Sequence, residues 1–181
     1  IVPVLLSAAL CLLASMNDMA APSVSLEGRQ LWLAQSLPVT PWQVLRAKLD
    51  TQLLLTGVPM LFCALCAVIT LPGSAAEMAL AVVVALLYTL LSALAALALG
   101  LKMPNLTWTN ETTPIKQSGS VMLALFANWF YAIALGGLYF LCGRYLSAAA
   151  YLALAAAITA AVCALLLRWV KQRGTRTFAA L

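Results

Sequence analysis

The chain has 181 residues, of which 65% are hydrophobic and only 8% are charged. Soluble domains carry about 25% charged residues, and the mean hydropathy here is +1.02, so the composition excludes a soluble globular fold. The net charge of +5 does not predict nucleic-acid binding, because the basic residues are scattered at the ends of apolar runs and form no single patch.

The predicted elements begin with an apolar run at residues 1–16, which is short for a complete span. Because the sequence starts with Ile1 inside this run, we expect it to be part of a longer protein. The run lacks the basic start and the cleavage site of a signal peptide. Apolar runs of about 18 or more residues predict membrane-spanning helices, and four such runs follow, at residues 41–71, 75–101, 119–141 and 146–170. The predicted fold class is therefore all-α, a polytopic transmembrane helix bundle with four complete spans and one partial N-terminal span.

Three polar stretches lie between and after these spans, namely residues 17–40, the loop 102–117 and the tail 171–181. Together with the adjoining span ends they hold nine of the ten basic residues, and Arg144 alone falls on the opposite side. Short loops rich in Lys and Arg stay in the cytoplasm. We therefore predict a multi-pass protein of the inner (plasma) membrane whose C-terminus and longer polar stretches are cytoplasmic.

Within the first polar stretch, residues 25–35 read as a short helix with Ser25 as its N-cap. Leu31 and Trp32 point to different sides of this helix, so its apolar residues do not form a single stripe. A helix that lies on the membrane surface has one apolar and one polar face. The pattern favours an element held between the membrane domain and a second protein, with an interfacial helix lacking a partner as the alternative.

The next helix has a strong start signal. Thr40 and Gln43 are placed to form a capping box, and a proline occupies the first turn. A helix over residues 41–71 is about 46 Å long at 1.5 Å per residue, whereas the hydrocarbon core of a membrane is about 30 Å thick. We expect the surplus to project as a stem, supported by an ion pair between Arg46 and Asp50 at i,i+4 spacing.

The sequence offers little chemistry for catalysis or metal binding. It contains no His, and no charged residue lies near the middle of a complete span. Asn128, deep in the third complete-length run (residues 119–141), is expected to make an interhelical hydrogen bond. The cysteines all lie in apolar runs, and we predict that they are small buried hydrophobes and not ligands: Cys11, Cys63, Cys66, Cys142 and Cys163. No catalytic, cofactor-binding or metal-binding residue is therefore predicted.

Two stretches carry a family resemblance. SLEGRQLWLAQSLPVTPWQVLRAKL resembles the cytoplasmic segment of the membrane-spanning permease subunits of type-2 ATP-binding cassette (ABC) exporters. Glu27 and Arg29 match the acidic and basic start of a short helix, residues 37–39 match the turn, and Lys48 matches the helix that re-enters the membrane. The loop MPNLTWTNETTPIKQ, residues 103–117, is similar to one in a bacterial subgroup of such exporter permeases.

The resemblance implies a division of labour. The permease forms the pathway, while a separate ABC ATPase subunit holds ATP and Mg and drives rigid-body switching through the short helix, called the coupling helix. This chain has no GxxxxGK[ST] loop and binds no cofactor itself. The residues implied to contact the ATPase are Glu27, Arg29, Gln30, Trp32 and Leu33. The stem and turn residues are Pro38, Pro41, Arg46, Lys48 and Asp50. The second cytoplasmic loop contributes Trp108, Asn110, Glu111, Lys116 and Gln117. A second permease copy or half and membrane lipid complete the implied partners.

Three other classes of protein remain as alternatives. A secondary transporter needs an intramembrane charge or a discontinuous helix pair, and the sequence places no charge inside a complete span. A membrane-embedded enzyme needs clustered His, Asp or Glu side chains, which the scattered acidic residues do not supply. A non-transporting membrane scaffold has no need of an ATPase, so co-purification with one separates it from a permease.

Overall fold

Helices make up 82% of the chain. The computed structural model describes residues 1–36, 38–108, 110, 112–116, 118–143 and 145–181, and it contains no strand within these ranges. Four helices are long and apolar enough to cross a membrane, and a shorter apolar helix precedes them. The predicted fold class, an all-α bundle with four complete spans and a partial first one, is confirmed.

The helices follow the apolar runs of the sequence. The five apolar ones are α1 (Val2–Ser15), α3 (Pro41–Thr70), α4 (Ala75–Lys102), α6 (Gly119–Cys142) and α7 (Ala148–Trp169). Three short α-helices lie between or after them, α2 (Leu31–Ser36), α5 (Thr112–Lys116) and α8 (Thr175–Ala179). A 3₁₀ turn, Ser25–Gln30, precedes α2, and a π-helical turn, Val170–Gly174, joins α7 to α8.

The start of α3 is fixed by local side chains, as predicted. The Thr40 hydroxyl accepts a hydrogen bond from the Gln43 N–H at 3.4 Å, and the Gln43 side chain accepts one from the Thr40 N–H at 2.8 Å. Pro41 occupies the first helical position, where its missing N–H costs nothing. The predicted capping box at the start of α3 is therefore confirmed.

At its other end, α3 stops at Thr70, because Pro72 disfavours a helical conformation in the residue before it.

Helix α4 is the central element of the bundle. It packs against α1, α3, α6 and α7, and 56% of its most apolar stretch is buried, against 17–22% for the other three long helices. Small side chains along α4 let its neighbours approach closely, among them the fully buried Ala81, Ala85, Ala93 and Ala96. The helices around α4 thus keep one exposed apolar face each, as expected for a bundle surrounded by lipid.

The bundle has two chemically different ends. Residues 16–40, 103–118 and 170–181 meet at one end, which we call the polar end; the turns at 71–74 and 143–147 form the far end. The Lys102 ammonium lies over the Trp169 ring, 5.1 Å from its centroid. This contact joins the end of α4 to the end of α7. Arg144, the basic residue predicted on the opposite side, lies outside the described residues.

The core has two layers along the bundle axis. In the far half, Val4, Leu10 and Cys11 of α1 pack beside Tyr88 of α4. In the polar half, irregular chain takes the position of α1, and its buried residues are Ala20, Ala21 and Val24. These three residues of the polar stretch 17–40 are enclosed by the bundle because their side chains are small and apolar, whereas Met19 beside them is 50% exposed. Non-helical backbone at such a position is tolerated where protein surrounds it.

Two predictions about buried side chains need correction. Cys11 and Cys163 are buried, but Cys63 and Cys66 are exposed on the outer face of α3, and Cys142 is half-buried. An apolar residue facing lipid is as favourable as one in the core, so hydrophobicity alone could not separate the two. Asn128 is buried and does join two helices, but through its backbone carbonyl, which accepts a hydrogen bond from the Tyr88 hydroxyl at 3.2 Å.

Candidate functional site at the polar end

The candidate site is built on residues 25–36, which we call the short-helix segment. It is not one continuous helix, because Gly28, inside the Ser25–Gln30 element, adopts the non-helical values φ 48° and ψ −125°. A side chain is strained at this backbone conformation, whereas glycine accepts it. Ser25 does not cap the segment, contrary to the prediction: the position before the turn is Val24, and no side chain caps it. Ser25 is instead fully buried and is bonded to a different part of the chain.

The first attachment of the short-helix segment is to the loop after α4. The Ser25 hydroxyl accepts a hydrogen bond from the Asn105 N–H at 3.0 Å, and the Ser25 carbonyl accepts one from the Trp108 indole at 2.6 Å. The Trp108 ring lies directly over Gly28, so that a Cβ at position 28 would stand 3.0 Å from it. Both the conformation and the close approach therefore require glycine at this position. Trp108 was predicted to belong to a second cytoplasmic contact. In the structure it packs on the short-helix segment and supports it.

The second attachment is to α3. The Lys48 ammonium lies 2.5 Å from a Glu27 carboxylate oxygen and donates a hydrogen bond to the Ser23 carbonyl at 2.8 Å. The side chains of Glu27 and Lys48 are only 20% and 15% exposed, so solvent screens this pair weakly. Glu27 was predicted to face a partner protein. In the structure its carboxylate faces the stem, where it pairs with Lys48 of α3.

The third attachment is to the C-terminal helix. The Gln35 side chain donates a hydrogen bond to the Phe178 carbonyl at 2.9 Å, and the Phe178 ring is fully buried. Next to this bond lies a cleft of about 180 Å³, which is lined by Gln35, Val39, Pro41, Val44, Phe178 and Ala179. The Lys171 ammonium lies 6.0 Å from the centroid of the Trp42 ring and connects the same helix to the first turn of α3.

The outer face of the short-helix segment is apolar and open. Trp32 is 66% exposed and Leu33 is 51% exposed. Both residues belong to the α2 turn, whose neighbouring residues are fixed to the rest of the bundle. An aromatic side chain held on a fixed backbone loses little conformational freedom on binding and can fill a pocket in another protein. The arrangement can therefore act as an apolar docking point.

The other predicted site residues have separate positions. Arg46 and Asp50 form the expected i,i+4 ion pair at 3.5 Å, with both side chains well exposed. Pro38 is exposed in the bend before α3. The Asn110 side chain accepts a hydrogen bond from the Thr112 N–H at 3.1 Å and so stabilises the start of α5. Glu111 and Gln117 lie outside the described residues, as does Leu37 of the predicted turn, and so do the side chains of Arg29, Gln30 and Lys116.

Sequence reasoning missed a buried polar cluster where α1 ends. The Gln52 side chain accepts a hydrogen bond from the Met19 N–H at 2.7 Å and donates one to the Asn17 carbonyl at 2.5 Å. The Asn17 amide donates to the Thr56 hydroxyl at 3.2 Å. Gln52 and Thr56 are one turn apart on α3 and both are buried. Their i,i+4 spacing in an apolar helix was the available signal, but their partners lie more than thirty residues away in the chain.

Asp18 lies inside this cluster, after the end of α1 and outside the five apolar helices. Both of its carboxylate oxygens are buried, without a well-formed hydrogen bond from any residue that the structure describes. Burial raises the pKa of Asp18 to about 6, against a smaller opposing effect of the nearby Ala21 N–H. The carboxyl group therefore exchanges its proton close to physiological pH.

The described residues contain no group of three or more His, Cys, Asp or Glu side chains that is able to hold a metal ion. The features that the structure shows at this end of the bundle are an exposed apolar pair, Trp32 and Leu33, and a buried carboxyl group. No family model, curated protein or solved structure matches the chain.

Proposed function

We propose that this chain is the membrane-spanning permease subunit of a type-2 ABC exporter, and that the short-helix segment is its coupling helix. The observation that carries the proposal is the exposed pair Trp32 and Leu33 on a segment tied to α3, to the loop after α4 and to the C-terminal helix. A docking point for a separate ATPase needs an apolar surface outside and firm attachment inside. This segment has both.

The attachments supply a route for mechanical coupling. A push on Trp32 reaches α3 through Glu27 and Lys48, and reaches the end of α4 through Trp108. Helix α3 is continuous over thirty residues, Pro41–Thr70, or about 45 Å. Displacement of its first turns therefore moves the whole helix. Rigid-body motion of this kind is how packed helices switch between two arrangements.

The distribution of charge supports a cytoplasmic position for the polar end. Basic residues gather there, on the last turns of α4 and α7, in the π-helical turn after α7 and on α8, namely Lys102, Arg168, Lys171, Arg173 and Arg176. Chains with such a bias keep the basic side in the cytoplasm. The proposal accordingly assigns the chain to the inner membrane with its C-terminus in the cytoplasm, where ATP and Mg on the partner ATPase are available. A second permease copy is proposed to complete the pathway.

The test is co-expression of the chain with the ABC ATPase encoded beside it. We expect the two to purify together and expect Trp32→Ala with Leu33→Ala to reduce recovery of the ATPase about tenfold or more, since one buried aromatic anchor is worth about 2 kcal/mol or more at an interface. Tyr145→Ala is the matched control, because Tyr145 is an aromatic residue at the far end that is even more exposed than Trp32.

A second readout is ATP turnover of the reconstituted complex. The double variant should lower turnover with the permease present, while Tyr145→Ala should leave it unchanged. Unaltered recovery and turnover in the double variant, with normal membrane insertion, would remove the coupling-helix assignment.

A further inference from the structure

The stretch between α1 and the short-helix segment, residues 16–24, depends on α3 for its position. The backbone on both sides of Asp18 is bonded to one side chain: Gln52 binds the carbonyl of Asn17 and the N–H of Met19. Gln52 also donates to the Thr56 hydroxyl at 3.0 Å. A change in the charge or hydration of Asp18 therefore directly affects the hydrogen bonds that hold this stretch to α3.

The surroundings of Asp18 favour its neutral form. An ionised carboxylate that is buried without hydrogen-bond donors loses its hydration, and no protein hydrogen bond or ion pair compensates for that loss. The titratable groups packed in this part of the core are Tyr88 of α4 and Cys11 of α1, which carry no positive charge. Helix α3 contributes the uncharged Gln52 and Thr56, and its nearest described cation, Lys48, is already bonded to Glu27 and Ser23.

A groove lies beside the cluster, and Asn17, the chain neighbour of Asp18, is one of the residues that line it. It lies between α1 and α3, has a volume of about 230 Å³, and is lined by Leu13, Ala14, Asn17, Leu55, Thr56, Pro59, Met60 and Cys63. Its polar residues are Asn17 and Thr56, which are hydrogen-bonded to each other and belong to the cluster. The Asn17–Thr56 hydrogen bond therefore joins the α1 side of the groove to its α3 side, next to Asp18 in the chain.

We propose that Asp18 is a proton-binding site that controls the packing of residues 16–24 against α3, and thereby the opening of the groove between α1 and α3. With the proton bound, the neutral carboxyl group stays buried and the Asn17–Thr56 contact is closed. When the proton leaves, the carboxylate draws water into the cluster, the bonds to Gln52 and Thr56 loosen, and the groove widens. This inference goes beyond the proposed function and does not require an ATPase.

Two exposed cysteines on α3 give a direct test. Cys63 lines the groove, whereas Cys66, one turn further along the same helix, is exposed outside it. Full-length variants that retain only one of the two are labelled with a thiol reagent in liposomes at pH values on either side of 6. The ratio of the two labelling rates cancels the intrinsic pH dependence of the thiol.

We expect the Cys63 to Cys66 ratio to rise severalfold as the pH passes upward through about 6. Asp18→Asn, which keeps the shape and removes the charge, should hold the ratio at its low-pH value, and Asp50→Asn, at an exposed acid, should leave the rise intact. A ratio that does not change with pH, or a rise that persists in Asp18→Asn, overturns the proposal.

Infrared spectroscopy of the unmodified chain provides a measurement that needs no variant to fold. The chain has only five acidic residues, so the carbonyl band of one protonated carboxyl group is resolvable. We expect this band below about pH 6 and its loss above that value. Absence of a protonated carboxyl band just below pH 6 would equally overturn the proposal.

Discussion

The Lys48 ammonium lies 2.5 Å from the Glu27 carboxylate and bonds at the same time to the Ser23 carbonyl. One side chain of α3 thus holds the short-helix segment at Glu27 and the stretch just before it at Ser23. We expect Lys48→Ala to lower the free energy of unfolding by about 2–3 kcal/mol, because it leaves a poorly hydrated carboxylate without its partner. Thermal unfolding in detergent measures the change.

The other ion pair of α3 is the control for this prediction. Arg46 and Asp50 are 66% and 60% exposed, and exposed i,i+4 pairs contribute about 0.5 kcal/mol or less. Arg46→Ala should therefore have little effect. If Lys48→Ala and Arg46→Ala lowered the free energy of unfolding equally, the burial of the Lys48–Glu27 pair would not make it stronger than the exposed pair.

Substitution of Gly28 tests the break in the short-helix segment. Gly28→Ala places a Cβ on a backbone at φ 48° and 3.0 Å from the Trp108 ring, and we expect a loss of about 1–3 kcal/mol in stability. Gly57→Ala is the matched substitution, since nothing lies within 4 Å of a Cβ there. Within a helix this change should stabilise by up to about 1 kcal/mol. Effects of the same sign in both variants would contradict the described conformation.

A third prediction concerns the contact between α4 and the buried stretch 16–24. A Cβ on Gly100 would collide with the Ala21 carbonyl oxygen, which belongs to the backbone and has no rotamer to change. We expect Gly100→Ala to cost about 1–3 kcal/mol and to increase hydrogen exchange at residues 20–24. Normal exchange in this variant would show that the stretch is not packed on α4.

The pH dependence of stability follows from the pKa of Asp18. The value in the folded chain is about 6, above the ordinary value of 3.8, so the folded chain binds more protons than the unfolded chain between these two values. The contribution of Asp18 is fully favourable below the lower value and is lost as the pH rises through the higher one. We expect Asp18→Asn to raise the free energy of unfolding at neutral pH by about 2–3 kcal/mol and to have little effect below the lower value.

Chemical denaturation across this pH range measures the difference between the two chains. Asp50→Asn serves as the control, because its carboxylate is exposed and already paired with Arg46. If Asp18→Asn stabilised the chain more at low pH than at neutral pH, the pH dependence would be opposite to the expected one. That outcome would contradict the burial of the carboxyl group.

The sequence predicted those features that neighbouring residues decide. The capping box of Thr40 and Gln43 and the pair of Arg46 and Asp50 lie within one turn of a helix, so their spacing in the sequence is their spacing in space. The long helices were predicted for a similar reason, since an apolar run of spanning length has few other stable conformations.

The features that the sequence did not predict depend on distant residues. Ser25 was expected to cap its own helix, but residues 80 and 83 positions further along the chain provide its hydrogen-bond partners. The burial of Asp18 also depends on distant residues, because Gln52 of α3 binds the chain on both sides of it. The outward direction of Cys63 and Cys66 likewise depends on which face of α3 packs against the bundle. The apolar sequence of α3 does not indicate which face that is.

The central position of α4 has a consequence for the order in which the protein is made. Helix α4 leaves the ribosome before α6 and α7, yet those two helices cover much of its surface. Its Tyr88, Thr89 and Ser92 side chains are buried in the finished bundle but must face lipid or the insertion machinery until synthesis has passed Trp169. Nascent chains should therefore be most vulnerable to quality-control proteases in the interval before α7 has been made.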